Sequence, residues 1–203
     1  HNMINFETKI SYQRNGWLHL KNAIDKETVN KLRKKAIELR NWVDDKVGTP
    51  SKFGPPVHWK GLGCAGMYDS YLMNFYKSDL MYDISSELLE TKSVWLYNDQ
   101  IVVKLPNDKF DFVPHTDNKE KGLNTVNLCV ILDDFTDENG TLQVLDKKIY
   151  PKAGDIVAIH GDTQHQSFEN KSNNPRCLYA CVYSDERIDF QNFYRTPFKQ
   201  SLL

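Results

Sequence analysis

Gly154-Asp155-Ile156-Val157-Ala158-Ile159-His160-Gly161-Asp162-Thr163-Gln164-His165-Gln166-Ser167, followed by Arg176-Cys177-Leu178-Tyr179-Ala180-Cys181-Val182-Tyr183, holds the turn-and-strand pattern from which the architecture follows. Lys152-Ala153-Gly154-Asp155 is a turn that opens into an apolar run, residues 156–160, short enough to be a strand. Residues 177–183 are rich in aromatic and β-branched side chains and form a second strand. Upstream, the same two-residue period appears at 94–97, 101–105 and 125–132. Asp137-Glu138-Asn139-Gly140 then supplies hairpin-turn chemistry before residues 141–145. Further upstream the period becomes helical: Asp25 is a candidate N-cap, and Val29, Leu32, Ala36, Leu39 and Val43 share one face. Gly48-Thr49-Pro50 ends that helix, and a second starts near Ser78 with Leu80, Met81, Ile84 and Leu88 inward. Between them, residues 48–76 are an irregular stretch with Trp59, Tyr68 and Tyr71, which are candidates for closing over a substrate. Short strands with Gly/Asn turns after a helical prefix predict an all-β core, sandwich or barrel, with packed helices. The expectation is a single domain over residues 3–203, helical over 3–92 and a barrel over 93–185.

Composition narrows the function. A chain of 203 residues buries a sizeable core unaided, and 40% hydrophobic with 12% aromatic residues excludes wholesale disorder. The net charge is −1, with both signs interspersed, so no nucleic acid and no membrane is expected as a partner. No apolar run approaches the ~20 residues that span a bilayer, and no signal-peptide core is present. Cys177 and Cys181 lie on one strand face roughly 13 Å apart, too far to bridge. With Cys64 and Cys129 they read as reduced thiols of a cytoplasmic protein, a monomer or small homo-oligomer.

The chemistry is carried by His115-Thr116-Asp117. Residues i and i+2 of an extended segment project to one side, so His115 and Asp117 grip one ion together while a distant strand supplies a third ligand. Two imidazoles and a carboxylate on one face of an octahedron leave three positions open, the donor set of non-haem Fe(II) oxygenases. On residue types alone, His160 and His165 both compete for the third position. Zn²⁺ would suit the same donors in a cupin-like hydrolase or isomerase, and a non-catalytic ligand-binding barrel is a further alternative. His19 and His58 carry no motif support, and His1, ahead of Met3, is left out of every candidate set.

From Gly154-Asp155 through His160-x4-His165-x-Ser167 to Asn170 and Arg176, the chain resembles the phytanoyl-CoA dioxygenase family. Those enzymes use Fe(II), 2-oxoglutarate and O₂ on a double-stranded β-helix, the jelly roll shared with cupins. Val130-Ile131-Leu132-Asp133-Asp134 and Asn139-Gly140-Thr141-Leu142 resemble the family's connection between metal-binding segments, so the likeness covers about residues 95–183. It implies His115, Asp117 and His165 as iron ligands, since His165 stands eleven residues before Arg176. It implies Arg176 as the clamp on the far carboxylate of 2-oxoglutarate and Ser167 as the hydroxyl beside it. Gln100 and Lys104, on one face of their strand, become candidates for reaching the co-substrate. Asn127 and Cys129 face the barrel interior, Asn170 is a turn residue, and His160 is a histidine of the core or one that supports a ligand from behind. The reaction implied is hydroxylation of a small molecule with release of succinate and CO₂. An intact Asp117 argues against halogenation, for which relatives carry a small residue there. Phe168-Glu169 replaces the family's Gly-Ser-Gly, and Asp146-Lys147-Lys148 its Pro-Gly-Ser-His, which points to a small polar substrate over a lipid thioester.

Overall fold

A computed structural model describes residues 4–47, 57–58, 61–63, 65–106, 111–118 and 120–188. In chain order these form α1 (Phe6–Asn15), β1 (Trp17–Leu20), α2 (Lys26–Val47), β2 (Val57–His58) and β3 (Gly61–Gly63). A 3-10 turn (Ala65–Met67) leads to α3 (Ser70–Tyr76), α4 (Asp79–Leu89), β4 (Trp95–Lys104), β5 (Phe112–His115) and β6 (Thr125–Ile131). The chain continues with β7 (Leu142–Val144), β8 (Lys147–Ile149), β9 (Ile156–His160), β10 (His165–Ser167) and β11 (Arg176–Ser184). The strands build two antiparallel sheets, of order β1-β9-β6-β11-β4-β3-β2 and β5-β10-β7-β8.

Alternation along the strands assigns the layers. Val126, Leu128 and Val130 of β6, with Cys177, Tyr179, Cys181 and Tyr183 of β11, pack beneath Leu32, Ala36, Leu72, Tyr76, Ile84 and Leu88 of the helices. Cys129, Ile131, Val157, Ile159, Leu178 and Ala180 face the other way, against Leu142, Val144 and Ile149 of the small sheet. The large sheet is thus buried on both faces, which explains why every residue of β6 is inaccessible. The site lies in the second, inter-sheet layer.

The two helices expected from the sequence, α2 and α4, start where it places them, while α1 and α3 are additional. Asp25 Oδ1 accepts from Thr28 N (2.8 Å), and Ser78 caps α4 at Met81 N (3.4 Å). Elsewhere the structure corrects the reading. The stretch 3–92 is not wholly helical: β1 forms one edge of the large sheet, while β2 and β3 lie at the other. The irregular stretch 48–76 contains β2, β3, the 3-10 turn and α3. Residues 94–97 and 101–105 are not two strands but the single ten-residue β4. Asn98 and Asp99 lie in the gap between those two segments. Asp99 is instead buried, its Oδ2 accepting from Gly66 N (2.8 Å) and from the Tyr179 hydroxyl, so the polar residue continues the strand. The Asp137–Gly140 turn does not join paired strands. It carries the chain between sheets, β6 pairing with β9 and β11, and β7 with β8 and β10. Gly140 is required there: its φ is +89°, and a Cβ would stand 2.1 Å from the Phe168 carbonyl. Strands β8 and β10, three residues each, were too short for periodicity to reveal.

Tyr68 and Tyr71 do not close over the barrel. Tyr68 packs against Trp42 of α2, ring centroids 5.7 Å apart, and the Lys31 ammonium lies over Tyr71. Phe53, Trp59 and Cys64 lie outside the described residues. Cys129, Cys177 and Cys181 are buried free thiols, and no helix among the described residues is long and apolar enough to cross a membrane.

Candidate metal and diacid site

β5 and β10 run antiparallel with His115 opposite His165, which brings the two imidazoles together, tilted 55° to one another with ring centroids 4.4 Å apart. Asp117, two residues beyond His115, places Oδ1 3.5 Å from Nε2 of each histidine. One donor atom from each of the three lies within 4.8 Å of the others, close enough to share an ion. The tautomers are set by the backbone. His115 Nδ1 is 2.6 Å from the Val113 carbonyl and His165 Nδ1 is 3.0 Å from that of Thr163, so each Nδ1 donates to the backbone and each Nε2 is left toward Asp117, meeting the carboxylate when protonated and offering a lone pair to a metal when neutral. Asn127 donates to Asp117 Oδ2 (3.1 Å), leaving Oδ1 toward the histidines. Burial pushes the Asp117 carboxyl up, but the His115 hydrogen bond, the His165 charge and Asn127 outweigh it and hold the group below its ordinary range. Its bond to Asp117 raises His115.

Two residues that the sequence reading passed over pin this geometry. Asn118 donates to Asp162 Oδ1 (2.7 Å) and to the Leu123 carbonyl, and its side-chain oxygen accepts from Thr125. Asp162 Oδ2 accepts from Gly122 N (2.9 Å), while Asn118 N donates to the Gly161 carbonyl. The turn after Asp117 is thereby tied to the turn before His165. Their signal was adjacency: Asn118 follows the first candidate ligand pair, and Asp162 stands three residues before the last candidate. His160 is not beside the ligands. It accepts from Asp162 N (3.0 Å) and tilts against Tyr12 of α1 on the helix side of the sheet. His19 bonds Asp155 (2.7 Å), a structural pairing between β1 and the turn before β9.

Arg176 opens β11 and is fully buried, its guanidinium over the Phe135 ring at 4.2 Å. Nε, Nη1 and Nη2 have no hydrogen-bond partner among the described residues. Burial depresses this arginine to about 10. A cation sealed in without an acceptor is strongly unfavourable unless an anion meets it. Lys104, directly across the β4–β11 ladder, is equally buried and donates to Ser167 Oγ (2.8 Å) and to the Phe168 carbonyl. Asn170 donates to the Lys104 carbonyl, fixing the turn below the pair. One cavity brings together His115, Asp117, His165, Ser167, Arg176 and Gln100, with Val102, Leu142 and Leu178 as its apolar walls.

A second cavity adjoins it. Gln100, Asp117, Asn127 and Ala180 line both, and Tyr97, Asn98 and Val182 line the second alone. Tyr97 is an extra residue in β4: Asn98 pairs with Val182 and Leu96 with Tyr183, which leaves Tyr97 unmatched in a bulge. A strand-alternation reading has no means of seeing it.

No family model matches the chain, and no curated protein matches it in sequence. Solved structures do match. EctD from S. alaskensis with bound Fe shares 16% identity at a TM-score of 0.77, covering 97% of this chain and 81% of that one. The non-heme alpha-ketoglutarate-dependent carbocyclase SnoK from nogalamycin biosynthesis shares 19% at 0.74, covering 90% and 84%. EvdO2 from Micromonospora carbonacea var. aurantiaca, complexed with 2-oxoglutarate, shares 14% at 0.73, covering 96% and 92%. At such identities the likeness establishes architecture: this chain has the cupin-like jelly roll with packed helices on which those enzymes are built.

Proposed function

We propose that the protein is an Fe(II)- and 2-oxoglutarate-dependent dioxygenase that hydroxylates a small molecule and releases succinate and CO₂. The observation that carries this reading is Arg176, a buried guanidinium whose nitrogens have no hydrogen-bond partner among the described residues, in the cavity that also holds the His115, Asp117 and His165 donors. A planar fork of donors fits a carboxylate in bidentate fashion. The donor set fits Fe(II), and the orphaned cation fits the far carboxylate of a diacid. Resemblance to the phytanoyl-CoA dioxygenase pattern and the shared jelly roll support the same assignment.

His115, Asp117 and His165 would hold the iron, and Arg176 with Ser167 would hold 2-oxoglutarate. Lys104 adds positive charge beside Ser167, and Gln100 stands at the boundary between the two cavities. When bound, iron supplies the redox chemistry by which O₂ oxidises both the keto acid and a substrate carbon. The chain's own work is positional. The Val113 and Thr163 carbonyls fix both rings, Asn127 fixes the carboxylate, and Val102, Leu142 and Leu178 keep the diacid end dry. A Zn²⁺ hydrolase or isomerase would use the same three ligands but leaves Arg176 without a purpose. The proposed partners are thus a small-molecule substrate and co-substrate, and the buried free thiols support a reducing compartment.

The test is succinate production. Protein supplied with Fe(II), O₂ and 2-oxoglutarate should form succinate slowly even without substrate, and Asp117→Ala should abolish it. Metal-dependent hydrolysis with Zn²⁺, in the absence of succinate formation, would contradict the proposal.

A further inference from the structure

The two cavities meeting at Asp117 differ in chemistry. In the first, along β11, the inward residues begin with Arg176, and Ser167, with the Lys104 ammonium bonded behind it, completes a cationic end. Arg176, Leu178, Ala180 and Val182 face the interior in turn, so the row runs roughly 20 Å from the cation to Val182. At the Val182 end the lining changes to Tyr97, Asn98, Gln100 and Asn127, with Ala180 and Val182 as an apolar floor. Asp117, a candidate metal ligand, is the only charged side chain lining this second cavity among the described residues. The β4 bulge enlarges this polar set: it brings both Tyr97 and Asn98 to one cavity, where a regular strand would turn one of them away.

We infer that the second cavity is the seat of the primary substrate, and that this substrate is an uncharged, hydroxyl-rich small molecule of the polyol or glycoside class. The Gln100 amide presents a donor and an acceptor side by side, the match for hydroxyl groups that both donate and accept, whereas the Asn127 amide is already taken by Asp117 and Cys129. The Tyr97 ring adds a flat apolar surface with a hydroxyl at its edge. A carboxylate, phosphate or acyl-CoA thioester would need a cation here. Among the described residues the two buried cations of the barrel interior, Lys104 and Arg176, stand at the other end, where the co-substrate carboxylate takes them. An ammonium-bearing substrate would have Asp117 alone to meet it, and that carboxylate is committed to the metal and to Asn127. The inference rests on the dioxygenase reading, which assigns the cationic cavity to 2-oxoglutarate.

The experiment begins with the melting temperature of the Fe(II)-loaded protein under argon, with and without 2-oxoglutarate. To the loaded complex are then added three sets of compounds: neutral polyols and glycosides, amino acids, and carboxylates with acyl-CoA thioesters. Further stabilisation is expected from members of the neutral set, and those compounds should raise succinate formation when air is admitted. Tyr97→Phe and Asn98→Ala should weaken their binding about three- to tenfold, the worth of one hydrogen bond. Both should leave 2-oxoglutarate affinity unchanged, because neither residue lines the first cavity. Response only to a charged set, or silence across the neutral one, overturns this inference alone. Failure of 2-oxoglutarate itself to bind overturns it together with the dioxygenase reading.

Discussion

An arginine held inside a barrel without an acceptor has a definite cost, and its removal separates function from stability. Arg176→Met keeps the volume and deletes the charge. The ligand-free variant should be as stable as the parent or more so, by about 1 kcal/mol or more, as apolar replacements of buried charges often are. Its response to 2-oxoglutarate should vanish, whereas the parent gains about 2.7 kcal/mol at a ligand concentration of 100 Kd. Denaturant melts with and without 2-oxoglutarate check both halves, and a destabilised variant that still binds would refute the role. At this scale the sequence was informative where spacing carries chemistry. His-x-Asp, the distal histidine and the arginine eleven residues later are fixed by the ion and the diacid they would serve. Asn118, Asp162 and Phe135 were silent, because their partners come from distant segments that only folding brings near.

Two turns act as clasps between elements, and each yields a prediction. Asp162 ties the turn after Asp117 to the one before His165. Asp162→Asn should weaken Fe(II) binding about tenfold, the lower end for groups that orient metal ligands. Competition against a chromophoric chelator checks it, and an unchanged affinity would show the clasp to be idle. Asp155 accepts from Asn22 N (2.8 Å), Lys152 N (2.9 Å) and His19 Nε2 (2.7 Å), joining β1 to β9. Burial pushes Asp155 up, but the two backbone donors and His19 prevail and hold it below 3.8. A depressed carboxyl stabilises the fold above its unfolded pKa and loses that contribution as pH falls through the folded one. Asp155→Asn should therefore cost about 1–2 kcal/mol at pH 6, with the difference closing below pH 4 in paired urea melts. The elements themselves were legible where an apolar period ran long enough, as in α2, α4, β6 and β11. Strands of three residues carry no period. In β4, buried Asp99 imitates a break, and the Tyr97 bulge shifts the faces midway.

Across the whole molecule, one sheet buried on both faces separates two tasks. Its outer face docks the helices and supplies rigidity. Its inner face, with the small sheet, forms the two cavities that meet at Asp117. The jelly roll was readable from strand count, turn residues and the family pattern. The contribution of β1, β2 and β3 to the large sheet was not, since their pairing is set by tertiary contact. The central assertion is that metal and diacid occupy touching positions inside this barrel. Anaerobic addition of 2-oxoglutarate to the Fe(II)-loaded protein tests it most directly. A weak visible charge-transfer band is expected in the parent, absent from Asp117→Ala and, at matched 2-oxoglutarate concentration, from Arg176→Met. A parent spectrum that 2-oxoglutarate leaves unchanged, or an equal band in Arg176→Met, would contradict it.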